Sequence, residues 1–385
     1  GMGEEQGRFF PVLRGKAEGT VPEVLHRGIE TDHAQRREDQ DTQAREGTLT
    51  EAPPMVILGI DTSCDDTSVA VMEEGRKIRS HIVSSQADLH KRFGGIVPEI
   101  ASRKHVEQIG AIYEEVLARA GASARDIDLV GVTAGPGLIG SVLVGLCFAK
   151  GFCLALGRPL IGVNHIEAHA MSIFLEREVD FPFVALVVSG GHTIILLMEA
   201  PCRFRVLGST RDDAAGEAFD KIAKFLGIGY PGGRIIEEMA RSGTRDYVAF
   251  PRPMMDGNTC DFSFSGLKTA FLTYAKKHTI DDSTINHVLA SFQEAICDVL
   301  VSKTIRAARL ARIERIVVGG GVAANGRLRE VFFERSRQEG IEVMISSPEF
   351  CTDNGAMVAS LASFHADAGM YSGLDIKGYS RMAMK

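Results

Sequence analysis

The sequence lacks a large net positive charge, a paired-cysteine motif and an unbroken apolar run of membrane length, and each absence removes a class of protein. The net charge is -7 at pH 7, which excludes coating nucleic acid by bulk charge. A nucleic-acid substrate stays open, because local basic patches or a partner can supply phosphate contacts. The 7 cysteines are odd in number and scattered, with no Cys-x-x-Cys pair. Reduced thiols in a cytoplasmic protein are expected, not a disulfide framework. The longest apolar stretch, residues 137–163, is broken by Lys150, Arg158 and Pro159. It reads as a buried helix followed by a strand, so no membrane association is expected. No basic start followed by an apolar core opens the chain, so no signal peptide is expected.

What is present is an ordinary globular composition, 45% hydrophobic and 24% charged over 385 residues. That length suffices for two lobes with a substantial core. Many of the 41 glycines fall in clusters beside apolar runs, as backbone turns gripping a ligand require. Residues 1–54 differ from the rest: they are polar, mix both charge signs and show few periodic apolar positions, which predicts a disordered extension. At Met55 the character changes. Residues 55–60 read as a buried strand, residues 61–67 as a polar turn and residues 68–72 as a second strand, together a hairpin. A helix is predicted over 98–120, a strand over 129–133, a helix over 141–156 and a strand over 160–163.

The pattern then repeats. Residues 183–188 and 194–198 read as strands flanking the polar turn Ser189-Gly190-Gly191-His192-Thr193. A third glycine turn, Gly319-Gly320-Gly321, joins a strand to a helix near residue 325. Two lobes, each opening with a hairpin whose turn is rich in Ser, Thr, Gly or Asp, is the layout of the actin, sugar kinase and Hsp70 ATPases. The fold class expected is therefore α/β, a two-lobed actin-like ATPase (ASKHA) fold around a central cleft. Lobe I is taken as residues 55–164, with a C-terminal helix over 353–385 packing back on it, and lobe II as residues 165–352.

Four runs carry candidate chemistry. In His165-Ile166-Glu167-Ala168-His169 the imidazoles stand at i and i+4, which on a helix puts them on one face, about 5–6 Å apart at Cβ. That spacing suits a shared metal, and two surface histidines are the bland alternative. Asp353 precedes an apolar helical run and either completes a His, His, carboxylate set suited to iron, manganese or zinc, or, with Thr352, caps that helix. Asp61-Thr62-Ser63-Cys64-Asp65-Asp66-Thr67 packs acids and hydroxyls into one turn that can hold phosphate, bind metal or take a proton; an ordinary hairpin turn has the same composition. Asp213, Glu217 and Asp220 share a predicted helical face, which a solvated surface helix would also show; Tyr230-Pro231-Gly232-Gly233 after it reads as a backbone saddle for a ribose or phosphate.

Taken together, the runs GIDTSCDDTSVAV, GPGLIGSVLVG, VNHIEAH, VVSGGHT, DDAAGEAFDK, YPGG, FSFSGLKTA, GGGVAANGRLR and CTDNGAMVA are far more specific than any one of them. From Met55 to the end the chain closely resembles the bacterial branch of the tRNA threonylcarbamoyladenosine family, once labelled glycoprotease or O-sialoglycoprotein endopeptidase. The resemblance implies transfer of threonylcarbamoyl from threonylcarbamoyl-AMP to N6 of adenosine 37 in tRNAs reading codons that begin with adenine, with release of AMP. It implies one divalent metal ion, Fe2+ first and Zn2+ or Mg2+ as alternatives, at His165, His169 and Asp353. It places Val187, Val188, Ser189, Gly190, Gly191, Asp220, Gly233 and Asn325 against the nucleotide-linked donor, and Asp65 and Asp66 in the catalytic turn. Implied partners are tRNA, a catalytically silent paralogue of the same fold and a small P-loop ATPase.

Two departures from the family pattern stand out. Asp61 and Asp66 occupy positions where bacterial relatives usually carry Glu, and Val187 occupies that of a Tyr metal ligand in archaeal relatives. A metallopeptidase reading rests on the paired histidines alone, because its motif needs Glu directly after the first His and Ile166 stands there. A non-catalytic scaffold and a sugar or acetate kinase are the other rivals.

Overall fold

The computed structural model describes residues 53–381; the extension expected to be disordered lies, but for its last two residues, outside the described residues. Two five-stranded sheets organise the chain. The first contains β1 (Val56–Asp61), β2 (Asp66–Glu73), β3 (Lys77–Ser85), β4 (Leu129–Gly135) and β5 (Leu160–Asn164), in the order β3-β2-β1-β4-β5. The second contains β6 (Phe183–Val188), β7 (Thr193–Ala200), β8 (Arg203–Ser209), β9 (Arg315–Gly319) and β10 (Glu342–Ile345), in the order β10-β9-β6-β7-β8. In each, the first strand pairs antiparallel with the second and parallel with the fourth. Read from opposite edges the two orders are the same, so one topology occurs twice. This is the duplicated two-lobed actin-like architecture.

The strands read as continuous apolar runs because both faces of each sheet are covered. In β6, Phe183, Ala185 and Val187 enter a central core, while Val184, Leu186 and Val188 enter an outer core on the other face. In β1, Ile57 faces the central core, and Val56, Leu58 and Ile60 face a third core. Two helices fill the central layer: the histidine helix (His165–Met171) and the C-terminal helix (Gly355–Asp367). The latter is shorter than the span 353–385 expected from sequence. Its last turn is followed by Gly369 with φ +71°, a conformation that ends a helix.

Close backbone approach fixes the C-terminal helix against β1. A Cβ on Gly59 would lie 2.1 Å from the Gly355 carbonyl oxygen, and one on Gly355 would lie 2.7 Å from the Gly59 carbonyl oxygen. Only glycine at both positions permits this contact. The helix Ile139–Leu156 departs from its expectation as a buried element. It buries Ser141, Val142, Gly145, Leu146, Ala149 and Cys153, but Leu143 and Leu154 are exposed. The helix is apolar all round, yet only one side has a sheet to pack on. Among the described residues it is the one helix long and apolar enough to cross a membrane by length and composition.

Candidate active site

Asn164 ends β5 and starts the histidine helix. Its side chain accepts from the amides of Ile166 at 2.8 Å and Glu167 at 3.2 Å, satisfying donors that a helix start leaves free. His165 and His169 are thereby held on one face, buried, with ring centroids 4.6 Å apart. Asp353 reaches them from the other end of the central layer. Its Oδ1 lies 3.5 Å from His165 Nε2 and 3.0 Å from His169 Nε2. Neither Thr352 nor Asp353 caps the C-terminal helix. Asn354 does, accepting from the Met357 amide at 2.8 Å, which leaves the Asp353 carboxylate free to turn toward the imidazoles.

The three side chains form a set able to hold a metal ion, with their donor atoms within 4.8 Å of one another. Two neighbours support the set. Ser63 Oγ donates to Asp353 Oδ2 at 3.3 Å. Asp61 Oδ2 lies 3.3 Å from His165 Nδ1, the place of a carboxylate that orients a ligating imidazole so that Nε2 faces the metal. Burial disfavours charge on His165, but Asp353 and Asp61 outweigh it and raise its pKa to about 9. Burial pushes Asp353 up, and His165 with His169 overrides it, holding the carboxyl below the usual range. His192, whose ring centroid is 6.3 Å from that of His165, is lowered to about 4 by burial and then by the two other histidines, so it is neutral at physiological pH.

The acidic turn comes from the β1–β2 hairpin. Asp65 is raised to about 6, first by burial and then by the charge of Asp353. Asp66 is raised to about 7 by burial, Asp353 and Asp65. Asp65 also bears on Asp220, which burial lifts to about 6, and on Tyr230. Asp61, Asp65, Asp66, Asp220 and Asp353 thus crowd negative charge into one region that a cation would relieve.

The second hairpin turn presents backbone. Ser189 N–H donates to the His192 carbonyl at 2.8 Å, and His192 N–H to Ser189 Oγ at 3.2 Å. Gly190 and Gly191 are exposed and face open space. The helix Ala215–Leu226 closes on this turn so tightly that a Cβ on Gly216 would lie 2.5 Å from the Ser189 carbonyl oxygen. Asp220, on the same helix, accepts from the Gly232 amide at 2.7 Å, and Gly233 beside it is open. The expected common face of Asp213, Glu217 and Asp220 does not form. The helix begins at Ala215, after Asp213, and Lys221 takes Asp213 and Glu217 at 2.7 and 2.8 Å.

Val187 and Val188 are buried in β6, with only their backbone near the turn. Both ends of the Asn325 amide are engaged. Its Oδ1 caps the helix Gly326–Gln338 at Leu328 N–H, 3.0 Å, and its Nδ2 donates to Gln293 at 2.8 Å. Sequence reasoning missed Asn164 and His105 as parts of the site and saw Ser63 and His192 only as members of the two polar turns. An Asn directly before a helical run signals a helix start, so Asn164 was legible. His105 was not, since it comes from the distant helix Pro98–Ala120. Its Nε2 lies 2.9 Å from the Cys64 carbonyl and its Nδ1 2.7 Å from Thr67 Oγ1, clamping both sides of the acidic turn.

The family model for TsaD, tRNA N6-adenosine threonylcarbamoyltransferase, matches residues 77–360. A protein of that name from Geotalea uraniireducens (strain Rf4) is 51% identical over 324 residues, 84% of this chain and 94% of its own. One from Clostridium botulinum (strain 657 / Type Ba4) is 49% identical over 331 residues, covering 85% and 97%. The chain belongs to the tRNA N6-adenosine threonylcarbamoyltransferase family. It is a transferase that modifies tRNA. Among solved structures, HypF of T. kodakarensis superposes with a TM-score of 0.57 at 14% identity, over 82% of this chain and 48% of that one. Full-length HypF in a phosphate- and nucleotide-bound form gives 0.54 at 14%, over 83% and 47%. These likenesses concern the fold alone.

Proposed function

We propose that the enzyme transfers threonylcarbamoyl from threonylcarbamoyl-AMP to N6 of adenosine 37 in tRNAs reading codons that begin with adenine. The observation that carries this reading is the convergence of His165, His169 and Asp353 beside the acidic turn. A divalent ion held by the three would act as a Lewis acid toward a donor carbonyl or phosphate oxygen. Fe2+ suits two imidazoles and one carboxylate with open positions, ahead of Zn2+ and Mg2+. Glu167 does not serve as a peptidase base: its Oε2 lies 3.7 Å from His365, on the side of the helix away from the paired imidazoles.

The chain's own groups supply the rest. Amides of Gly190, Gly191 and Gly233, which face open space, hold and orient the donor, the Ser189 N–H being taken by the His192 carbonyl. The N6 amine attacks the carbamoyl carbon, the bond from that carbon to the phosphate oxygen breaks, and AMP leaves with the electron pair. Asp65 accepts the amine proton. The exocyclic amine is a weak nucleophile, so orientation and leaving-group stabilisation dominate the rate. Val187 offers no ligand atom at the archaeal Tyr position, so an ion held by His165, His169 and Asp353 would leave that position to water or a substrate oxygen. A silent paralogue and a small P-loop ATPase complete the system in the cytoplasm; the exposed Leu143 and Leu154 on the helix Ile139–Leu156 offer the paralogue an apolar face. The test supplies donor labelled at the carbamoyl carbon, unmodified tRNA and the partners, and analyses the nucleosides by mass spectrometry. Label on adenosine is expected; label appearing only as hydrolysed donor would reject the transfer.

A further inference from the structure

A second group of donor atoms lies behind the histidine helix and has no part in the site above. Glu167 comes from that helix, two residues from each catalytic histidine and therefore on its opposite side. Cys202 comes from the turn between β7 and β8. His365 comes from the last turn of the C-terminal helix. Glu167 is 4% and His365 8% exposed, and Cys202 is half-buried. One donor atom of each lies within 4.8 Å of those of the other two. The Glu167 Oε2 to His365 Nε2 distance is 3.7 Å.

One further observation points to a ligand. Glu167 Oε1 and His365 Nε2 are buried with no hydrogen-bond partner, and orphaned buried polar atoms need an explanation.

We propose that Glu167, Cys202 and His365 form a zinc site, distinct from the catalytic set, that ties the β7–β8 hairpin and the C-terminal helix to the back of the histidine helix. Thiolate, imidazole and carboxylate are the three ligand types zinc takes, at about 2.3, 2.0–2.1 and 2.0–2.2 Å. Ligand atoms on a tetrahedral ion at those bond lengths lie about 3.3–3.8 Å apart, so the three need close by no more than about an ångström. Water takes the fourth position. Without a cation, burial and then Glu167 and Asp367 push the Cys202 thiol up to about 12; a bound dication replaces its proton. The site's role is positional: it braces from behind the seven-residue helix that presents His165 and His169.

The test uses the full chain, stripped of metal by a chelator and titrated with Co2+. A thiolate bound to Co2+ gives a near-ultraviolet charge-transfer band, which imidazoles and carboxylates do not. One equivalent of that band is expected in the unmodified chain and in His165→Ala, where the catalytic set is broken. It should vanish in Cys202→Ser, and His365→Gln should weaken Co2+ binding by at least about tenfold. Cys64 adjoins Asp65 and feels the Asp353 charge, so its thiol could mimic the signal from the catalytic side; Cys64→Ser should keep the band. No band in the unmodified chain, a band surviving Cys202→Ser, or one lost in Cys64→Ser overturns the proposal. Near-native circular dichroism of Cys202→Ser, a swap of one atom, separates loss of the site from loss of the fold. The readout does not involve transfer.

Discussion

In the proposed reaction Asp65 accepts the amine proton, and its environment sets two measurable signs. Without a bound cation, burial and the Asp353 charge raise its pKa to about 6, and a cation at Asp353 lowers that value; Asp65 accepts a proton above its pKa and not below. The transfer rate should therefore fall about tenfold per unit below an apparent pKa that lies at or under about 6. Asp65→Asn should run at least about 100-fold slower and lose that dependence; an unchanged rate at saturating donor and tRNA returns the turn to an ordinary hairpin. Stability has the opposite sign. Asp65 and Asp66 both titrate above their ordinary 3.8, so the folded state holds their protons more tightly than the unfolded one. Metal-stripped protein loses stability as pH rises through about 4 to 7, and Asp65→Asn should melt about 2 °C higher at pH 8. A lower melting temperature would show that the carboxylate is satisfied in place. At this scale the paired histidines were legible, because i, i+4 spacing is a local signal; Asp353, 184 positions from His169, could from its own surroundings equally have been a helix cap. Asp61 and Ser63 were visible only as members of a polar turn, since their contacts to His165 and Asp353 cross 104 and 290 positions.

Among the elements, the helix starts and the clamped turn hold the site. His105 stands between Cys64 and Thr67 as a neutral ring, its pKa lowered by burial even though the bond to Cys64 opposes this. His105→Ala leaves the Cys64 carbonyl without its partner and the Thr67 hydroxyl with only a long 3.5 Å contact to Gln108, at a cost of about 1–3 kcal/mol. The expected outcome is a matching loss in chemical denaturation and a slower transfer, with metal content unchanged. Metal lost in parallel would place His105 in the metal site itself. Most strands around the cleft were legible, because strands covered on both faces are near-continuous apolar runs. The edge strands β3, β8 and β10 were not. Their burial is mixed, and Arg79, Arg203 and Arg205 break the apolar pattern. The helix of residues 139–156 was legible as a helix but not in its exposure, since an all-apolar sequence does not say which face meets a sheet.

On the scale of the whole molecule, one topology used twice places the two hairpin turns and the two central helices around a common cleft. The duplication was legible from the repeated strand, polar turn, strand pattern; the shared central core was not, because it needs both sheets at once. That core depends on the Gly59 to Gly355 approach. Gly355→Ala should therefore cost about 1–3 kcal/mol or more and displace Asp353, read as lower denaturant midpoint together with lost metal. Retained stability would show that the two backbones can separate freely. The most direct test of the account joins metal content to transfer in one experiment. Unmodified tRNA is incubated with donor, the partners and either the unaltered enzyme, His169→Ala or Asp353→Asn, each checked for fold. Threonylcarbamoyladenosine is then quantified by mass spectrometry beside the bound metal. The expected result is loss of metal and a transfer rate at least about 100-fold lower in both variants. Full transfer by a variant without metal would contradict the central claim that His165, His169 and Asp353 hold the ion the reaction uses.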